Sequence, residues 1–181
     1  MSLFEIESEH FGGEVKVIKP TTFKDYRGDL TVTYLQNEFK DLQIPNFVRY
    51  MYTRSEYNVL RGLHFQMEPA MGKLIQVLKG EAFLVAVDLR HDSPTFLGYH
   101  GTFVSGDKPT QVWAPAGFAR GYCALSEELF VQYACDEYKG EDSVIRWDDP
   151  DIGIDWPCEQ PKLSVRDAGA PTVAEFFGRG L

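Results

Sequence analysis

The chain has 181 residues, of which 44% are hydrophobic, and this supply of apolar side chains is enough for one domain over residues 1–181. Its 27 acidic and 18 basic residues give a net charge of −9, which disfavours nucleic acid as a partner but still allows a few convergent arginines to bind a small anion. The longest apolar runs fall short of the roughly 20 residues that a membrane span needs, and the first residues lack a secretory pattern. The three cysteines are odd in number and have no metal-ligand spacing, which favours reduced thiols in the cytoplasm.

Short runs rich in Val, Ile, Tyr and Phe recur along the chain between Gly, Pro and Asp residues, and they predict an all-β sandwich or barrel. In chain order the predicted strands are EVKVIK, LTVTYL, NFVRYMYTR, NVLRGLHF, KLIQVLKG, AFLVAVDL, FLGYHGTFV, TQVWAP, GYCAL and LFVQYACDEY. Short helices are predicted only at NEFKDL, near residue 37, and at TVAEFF, near residue 172.

Three segments allow further predictions: a turn, a strand and an irregular segment. Lys79 and Gly80, between two strong strands, predict a tight hairpin turn. The run AFLVAV is apolar at both parities, so its strand should be covered on both faces, by a second layer or by another subunit. The segment RWDDPDIGIDWP is too rich in Asp, Pro and Gly for regular structure, and we expect it to cross the surface of the sandwich.

Strand alternation places three titratable side chains on faces that also carry core residues. The sets of equal parity are Leu60, Gly62, His64 and Gln66; Lys73, Ile75, Val77 and Lys79; and Val131, Tyr133 and Cys135. A pocket that holds a histidine, a lysine and a tyrosine has the composition of an acid–base site. Each of the three also has an ordinary explanation as a hydrogen-bonded or solvent-reaching side chain, so parity alone leaves both interpretations open.

The pattern of possible ligands favours a site without a metal. The four histidines, at positions 10, 64, 91 and 100, form no His-x-His pair. Neither a P-loop nor a G-x-G-x-x-G motif is present, so side chains would have to hold any phosphate group.

Five segments between residues 59 and 167 have an order and spacing that resemble those of a known family. They are VLRGLHFQ (59–66), GKLIQVLKGEAFLVAVDLRHDSPTF (72–96), APAGFARGY (114–122), RWDDPDIGIDWP (146–157) and LSVRD (163–167). The chain resembles the dTDP-4-dehydrorhamnose 3,5-epimerase family over about residues 14–172. The resemblance implies a cupin-like jelly roll with a few short peripheral helices. It also implies a homodimer that needs neither a metal nor a redox cofactor and acts on a nucleotide-linked 4-keto-6-deoxyhexose in deoxysugar biosynthesis.

The resemblance also implies roles for four residues. A ketone at C4 acidifies the hydrogens on C3 and C5, so a base and an acid on opposite faces of the ring can invert each centre through an enolate. His64 matches the family's base and Asp167 its carboxylate partner. Tyr133 matches the tyrosine that returns a proton from the other face, and Lys73 is expected near the C4 oxygen.

Six further residues form the predicted substrate-binding set: Arg61, Arg27, Arg49, Gln66, Arg120 and Tyr138. Arg61 and Arg27 match arginines that hold the diphosphate, and in the family the second of these reaches across the dimer. Simple alternation places Arg61 and His64 on opposite faces of their strand. We therefore expect the strand to bend or bulge at Gly62.

The chain departs from the family pattern at four positions. Val32 stands where the family usually has a glutamate, and Arg49 and Met51 replace amides that help to read the base. Arg120 replaces the histidine of the usual GFAHG. The two additional arginines either strengthen anion binding or are surface exchanges, and the sequence leaves the nucleotide base open.

Two other functions remain as alternatives. One is a sugar-nucleotide 3,4-ketoisomerase on a similar barrel, which would move the carbonyl group. The other is a non-catalytic cupin that binds a sugar nucleotide, and it predicts a pocket in which His64 and Asp167 fail to meet.

Overall fold

The computed structural model describes residues 2–178, and its regular elements are mostly strands, as the apolar runs predict. The strands are β1 Phe4–His10, β2 Val15–Pro20, β3 Thr22–Asp25, β4 Gly28–Thr31, β5 Arg49–Glu56, β6 Leu60–Gln66, β7 Lys73–Lys79, β8 Glu81–Asp88, β9 Tyr99–Ser105, β10 Gln111–Ala114, β11 Phe118–Ala124, β12 Glu128–Cys135 and β13 Asp142–Val144. The helices are α1 Gln36–Asp41, α2 Val165–Ala168 and α3 Val173–Phe177. Both predicted helices are therefore present, as α1 and α3, and no helix within residues 2–178 is long and apolar enough to span a membrane.

Two antiparallel sheets form the body of the fold. One has the strand order β1-β2-β10-β7-β12-β5 and the other the order β13-β6-β11-β8-β9. Between them lies an apolar core that includes Ile75 and Val131 from the first sheet and Leu84 and Phe118 from the second. This is the predicted cupin-like jelly-roll sandwich, in which alternate side chains of each strand face the opposite sheet.

The expectation of a hairpin at Lys79 and Gly80 is wrong. β7 belongs to the six-stranded sheet and β8 to the five-stranded sheet, so the turn carries the chain from one sheet to the other. Gly80 has a φ of +85°, and a Cβ there would lie 2.4 Å from the carbonyl oxygen of Glu128. A tight turn was predictable from this glycine, but apolar flanks do not reveal whether two strands pair or face each other.

The outer face of β8 is covered by the carboxyl-terminal part of the same chain. Leu84 packs between the sheets, whereas Val85, of the opposite parity, packs with Ile145, Ile152 and other residues of that region. This confirms the second-layer interpretation of AFLVAV. The segment RWDDPDIGIDWP crosses the sandwich surface as expected, because it has no regular structure and its apolar side chains cover the sheet.

Some elements were not predicted or were predicted with wrong bounds. The unpredicted ones are β1, β3, β13 and α2. LTVTYL forms a strand only as far as Thr31, and Val32 and Tyr34 beyond it pack against the cluster around Phe39. β3 and β4 pair only with each other, so they form a separate two-stranded hairpin.

Candidate active site

A cavity of about 320 Å³ lies between the two sheets. Its lining includes seven of the ten predicted site residues: His64, Gln66, Lys73, Tyr133, Arg61, Arg49 and Arg120. These side chains come from β5, β6, β7, β11 and β12, so both sheets contribute to one site. The cavity therefore gathers titratable and cationic groups inside a protein of net negative charge.

β6 is irregular at Gly62, as the conflict between Arg61 and His64 requires. In the pairing of β6 with β11, Arg120 stands opposite His64 but Tyr122 stands opposite Arg61, so the register shifts between them. Gly62 has a φ of +124°, and a Cβ there would lie 2.7 Å from the Cα of Gly121. The predicted bulge is confirmed, and it brings Arg61 and His64 to the same cavity.

His64 and Asp167 meet at the side of the cavity. The Nε2 atom of His64 lies 2.7 Å from Oδ1 of Asp167, and the carboxylate is buried whereas the imidazole side chain is 31% exposed. A carboxylate can only accept, so Nε2 carries the hydrogen and Nδ1 is left with a lone pair. This arrangement leaves one ring nitrogen free to take a proton, and it disfavours the binding module in which the two residues fail to meet.

Two local features position Asp167 beside His64. The first is a short parallel contact of Lys162 with the segment from Asn58 to Leu60, and the second is helix α2. Lys162 donates its N–H to the carbonyl of Asn58 at 2.8 Å, and its own carbonyl accepts from Leu60 at 3.1 Å. Ser164 then caps α2, because its hydroxyl accepts the N–H of Asp167 at 3.0 Å. The segment before Asp167 is thus fixed to the strand that carries His64.

The carboxyl group of Asp167 is held in its ionised form. Burial raises its pKa, but hydrogen bonds from His64, Ser164 and the N–H of Gly62 outweigh burial and lower the pKa below its ordinary value. An ionised carboxylate at this distance is suited to stabilise a positive charge on the imidazole ring of His64.

Lys73 is buried in the cavity and forms no ion pair with another residue of the described chain. Burial first, and the positive charge of Arg120 next, lower the pKa of Lys73 to about 8, while Cys135 and Asp142 oppose this shift. The ammonium is therefore available as a cation at neutral pH and is poorly compensated by its surroundings.

Arg120 is only 4% exposed, so the explanation as a surface exchange is wrong for this residue. Its Nη2 donates to the carbonyls of Phe118 at 2.6 Å and Met71 at 2.8 Å, whereas Nη1 is buried without a partner in the described chain. Burial lowers its pKa to about 10, so the guanidinium remains charged at neutral pH. It places a fixed positive charge beside Lys73.

Gln66 and Asp142 stand opposite each other on the paired strands β6 and β13, and both line the cavity. The Nε2 group of Gln66 donates to Oδ1 of Asp142, and Oε1 of Gln66 is buried without a partner among residues 2–178. Burial raises the pKa of Asp142, but the bond from Gln66 and the charge of Lys73 lower it to a net value below the ordinary one. Sequence reasoning missed Asp142, since it lies on the unpredicted strand β13.

Sequence reasoning also missed two hydroxyl residues of the cavity and a third that is hydrogen-bonded to one of them. Thr53 and Tyr122 line the cavity, and the hydroxyl of Ser55 lies 2.8 Å from that of Tyr122. A signal was present in RYMYTRSE, where the hydroxyl residues Thr53 and Ser55 share the parity of Met51. Small hydroxyls that repeat on an inward face need hydrogen-bond partners in the interior.

The remaining predicted binding residues lie at the rim or outside the cavity. Arg49 lines the cavity, and its Nη1 donates to the carbonyl of Tyr138 at 3.5 Å, while the Tyr138 side chain is 72% exposed. Arg27 lies on the β3–β4 hairpin and pairs with Asp25 at 2.5 Å. The binding roles of Tyr138 and Arg27 stay predictions.

Within the described residues, no group of three or more His, Cys, Asp or Glu side chains is placed to hold a metal ion.

A jelly roll with its cavity between the two sheets places the protein in the cupin-like class. The family model of the dTDP-4-dehydrorhamnose 3,5-epimerases matches residues 13–175. The dTDP-4-dehydrorhamnose 3,5-epimerase of Salmonella typhimurium is 43% identical over 166 residues, which cover 88% of this chain and 91% of that protein. The enzyme of the same name from Neisseria gonorrhoeae is 41% identical over 166 residues, and the match covers 90% of this chain but 51% of that longer protein.

A solved structure shows the same relationship. The dTDP-6-deoxy-D-glucose-3,5-epimerase of Legionella pneumophila, in complex with dTDP-4-keto-L-rhamnose, superimposes with a TM-score of 0.89 at 37% sequence identity. The match covers 93% of this chain and 92% of that one. The chain therefore belongs to the dTDP-4-dehydrorhamnose 3,5-epimerase family, which places it in the isomerase class of enzymes.

Proposed function

We propose that the protein epimerises C3, C5 or both of a nucleotide-linked 4-keto-6-deoxyhexose, with dTDP as the first candidate nucleotide. The observation that carries this proposal is the pair of His64 and Asp167 at 2.7 Å, beside a cavity that also contains Lys73 and Tyr133. The names of the relatives support the same reaction and substrate class.

The proposed reaction begins when Nδ1 of His64 takes a proton from the carbon next to the ketone. The electron pair of the broken C–H bond moves into the ring, and the C4 oxygen gains negative charge as an enolate. The ammonium of Lys73 stabilises that charge. Tyr133 then gives its proton to the same carbon from the opposite face, which restores the ketone with the centre inverted.

The cationic side of the cavity supports a diphosphate as the second part of the ligand. Arg49, Arg61 and Arg120 all line the cavity, and guanidinium groups bind phosphate oxygens through paired hydrogen bonds. Val32 packs against the Phe39 cluster and carries no charge to a ligand. Since Arg49 and Met51 replace amides that help to read the base in the family, the base should be tested with dTDP, UDP and GDP sugars.

The experiment that tests the reaction measures solvent deuterium in dTDP-4-keto-6-deoxyglucose incubated with the protein in D₂O. We expect deuterium at C3, C5 or both, in a sugar with inverted stereochemistry. The His64→Ala variant should lose exchange at both carbons, whereas Tyr133→Phe should keep part of the exchange and lose productive inversion. Absence of exchange with all three nucleotides would contradict the proposal, and a migrated carbonyl would favour the ketoisomerase.

We also propose a homodimer in which the β3–β4 hairpin packs on a second copy. Phe23 and Leu30 stand opposite each other in this hairpin and are 50% and 61% exposed, and Tyr26 at its tip is 97% exposed. Exposed apolar groups of this kind mark an interaction surface. Arg27 lies beside Tyr26, so in the proposed dimer the hairpin carries this arginine to the cavity of the second copy.

Sedimentation of the native protein and of a Phe23→Glu, Leu30→Glu variant tests the dimer. We expect the native protein to sediment as a dimer and the double variant as a monomer. Phe103→Glu is a matched control, because Phe103 on β9 is 68% exposed but lies outside the hairpin. A native monomer, or a double variant that remains dimeric, would contradict this interface.

We also propose that the protein is located in the cytoplasm, which is a reducing compartment. Cys123, Cys135 and Cys158 are all free thiols, and the first two are buried. Free thiols persist where glutathione and thioredoxin keep cysteine reduced.

A further inference from the structure

A buried hydroxyl group joins the two sheets at the cavity. Tyr122, on β11, is 2% exposed, and its ring belongs to the core between the sheets. Its hydroxyl lies 2.9 Å from the Oγ1 atom of Thr53 and 2.8 Å from the Oγ atom of Ser55, both on β5. Polar groups are costly to bury unless they are hydrogen-bonded. The three hydroxyls beside the apolar core therefore depend on their hydrogen bonds to one another.

An arginine fixes the direction of these hydrogen bonds. The Nε atom of Arg61 lies 3.1 Å from Oγ of Ser55, and a guanidinium can only donate. Ser55 therefore accepts from Arg61, and within residues 2–178 its second contact is the hydroxyl of Tyr122. If Tyr122 donated to Ser55, the serine proton would be buried without an acceptor. The satisfied order is donation from Arg61 to Ser55, from Ser55 to Tyr122, and from Tyr122 to Thr53.

Tyr133 lies next to the Thr53 end of this network. In the pairing of β5 with β12, Thr53 stands opposite Val131 and Met51 opposite Tyr133, so Thr53 and Tyr133 are diagonal neighbours on one face, and both line the cavity. Burial first, and the neighbouring Tyr122 next, raise the pKa of Tyr133 well above its ordinary value, whereas a hydrogen bond with Thr53 lowers it. Tyr133 thus keeps its proton at neutral pH. Because Thr53 accepts from Tyr122, its own proton is available to the oxygen of Tyr133. The proton of Tyr133 then has two acceptors within reach, the oxygen of Tyr122 and a ligand in the cavity.

We propose that Tyr122 and Thr53, held in order by Ser55 and Arg61, are positioning residues for Tyr133. They orient the Tyr133 hydroxyl with its proton turned into the cavity and stabilise the oxygen once that proton has gone to the sugar. The O–H electron pair stays on the Tyr133 oxygen, and the enolate supplies the pair for the new C–H bond. Exchange with water then returns a proton to Tyr133 and removes one from His64. The inference rests on the proposed epimerase function and adds the residues that control proton return.

The test separates proton removal from proton return. Native protein and variants are incubated with dTDP-4-keto-6-deoxyglucose in D₂O, and deuterium is measured both in inverted sugar and in sugar with its original stereochemistry. For Tyr122→Phe we expect inversion to fall about tenfold, while total deuterium uptake changes by less than about twofold, because His64 still removes the proton. Deuterated but uninverted substrate should accumulate.

A pair of substitutions at Thr53 controls for packing. Thr53→Val keeps the shape of the side chain and removes the hydroxyl. It should therefore lower the ratio of inverted to uninverted deuterated sugar, which we call the partition, as Tyr122→Phe does. Thr53→Ser keeps the hydroxyl and should restore the partition towards that of the native protein. Tyr99→Phe removes a tyrosine hydroxyl that accepts the N–H of Asp155 at 3.3 Å, outside the cavity, and should leave the partition unchanged.

The outcomes distinguish this inference from the proposed function. If Tyr122→Phe and Thr53→Val lower exchange and inversion by the same factor, or change neither, the positioning role is overturned. If Tyr122→Phe unfolds, the comparison of Thr53→Val with Thr53→Ser decides in the same way. If the native protein gives no exchange with any nucleotide, the proposed function fails, and this inference fails with it.

Discussion

Lys73 lies among more positive than negative charge, and this should determine how the activity depends on pH. Its pKa is lowered to about 8, by burial first and by Arg120 next. The proposed enolate would be stabilised only by the charged form of the lysine, so kcat/KM should fall as pH rises through about 8. In Arg120→His the neighbour is neutral at that pH, so the pKa of Lys73 should rise and the alkaline limb should move to higher pH.

Arg120→Lys is the matched control for this pH profile, since it keeps a positive charge at the same position. The alkaline fall of kcat/KM should then occur at nearly the same pH as in the native protein. A limb that does not move in Arg120→His would show that a group other than Lys73 titrates there.

Asp167 should act on the rate through its charge rather than through its shape. Asp167→Asn keeps a side chain of the same size beside His64 but removes the charge that stabilises the imidazolium. We expect kcat to fall by about 10²–10⁴, with a smaller change in KM, in steady-state kinetics on the dTDP sugar. Asp148→Asn, at an exposed ion pair with Arg146, should leave both constants unchanged, and a fall below about tenfold for Asp167→Asn would contradict the role.

The cavity placement of these residues was predictable to different degrees. His64, Lys73 and Tyr133 could be predicted from strand alternation, because an inward parity is a local property. Asp167 could not, since it lies on a four-residue helix, 103 positions from His64 along the chain, and only the resemblance connected the two. The burial of Arg120 was unpredictable for a related reason, because one of the carbonyls that accept from it belongs to Met71, 49 positions away in the loop before β7.

At the level of elements, the bulge in β6 brings together Arg61, the proposed phosphate ligand, and His64, the proposed base. Gly62→Ala should displace both Arg61 and His64, because the new Cβ would lie 2.7 Å from Gly121 and 2.8 Å from the carbonyl oxygen of Arg120. The positive φ alone costs about 1–3 kcal/mol of unfolding free energy, and misplacement of the base should lower kcat/KM by about 10²-fold.

Urea denaturation and steady-state kinetics measure these two effects. Gly12→Ala is the matched control, because Gly12 also has a positive φ, of +69°, but a Cβ there would meet nothing within 4 Å. It should lose about 1 kcal/mol and keep its activity. Equal activity losses in the two variants would contradict the importance of the bulge.

The same elements show where local pattern stops being informative. Alternation is valid only along an unbroken strand, so the conflict between Arg61 and His64 pointed correctly to an irregularity at Gly62. The turn at Gly80 was recognisable from its glycine, but the destination of the following strand depends on which sheet has a free place. The packing of the whole core determines which sheet the strand joins, so the local sequence KGEAF does not reveal it.

For the whole molecule, the two sheets meet at one end of the sandwich through a pair of histidines. β1 and β9 are edge strands of different sheets, and the rings of His10 and His100 stack with centroids 3.4 Å apart. Burial first, and His10 next, lower the pKa of His100 from 6.5 to about 4. The contact therefore requires a neutral His100.

This contact should make the fold sensitive to mild acid. Below pH 6.5 the unfolded chain binds a proton at His100 that the folded chain resists until about pH 4, so stability falls across this interval. Between about pH 7.5 and about pH 5 we expect a loss of about 2 kcal/mol in urea denaturation. His100→Phe keeps a ring against His10 and should remove most of this loss, whereas His91→Gln, at an exposed histidine, should not. An unchanged loss in His100→Phe would instead assign the acid sensitivity to carboxylates, and the joint between the sheets would then be independent of pH.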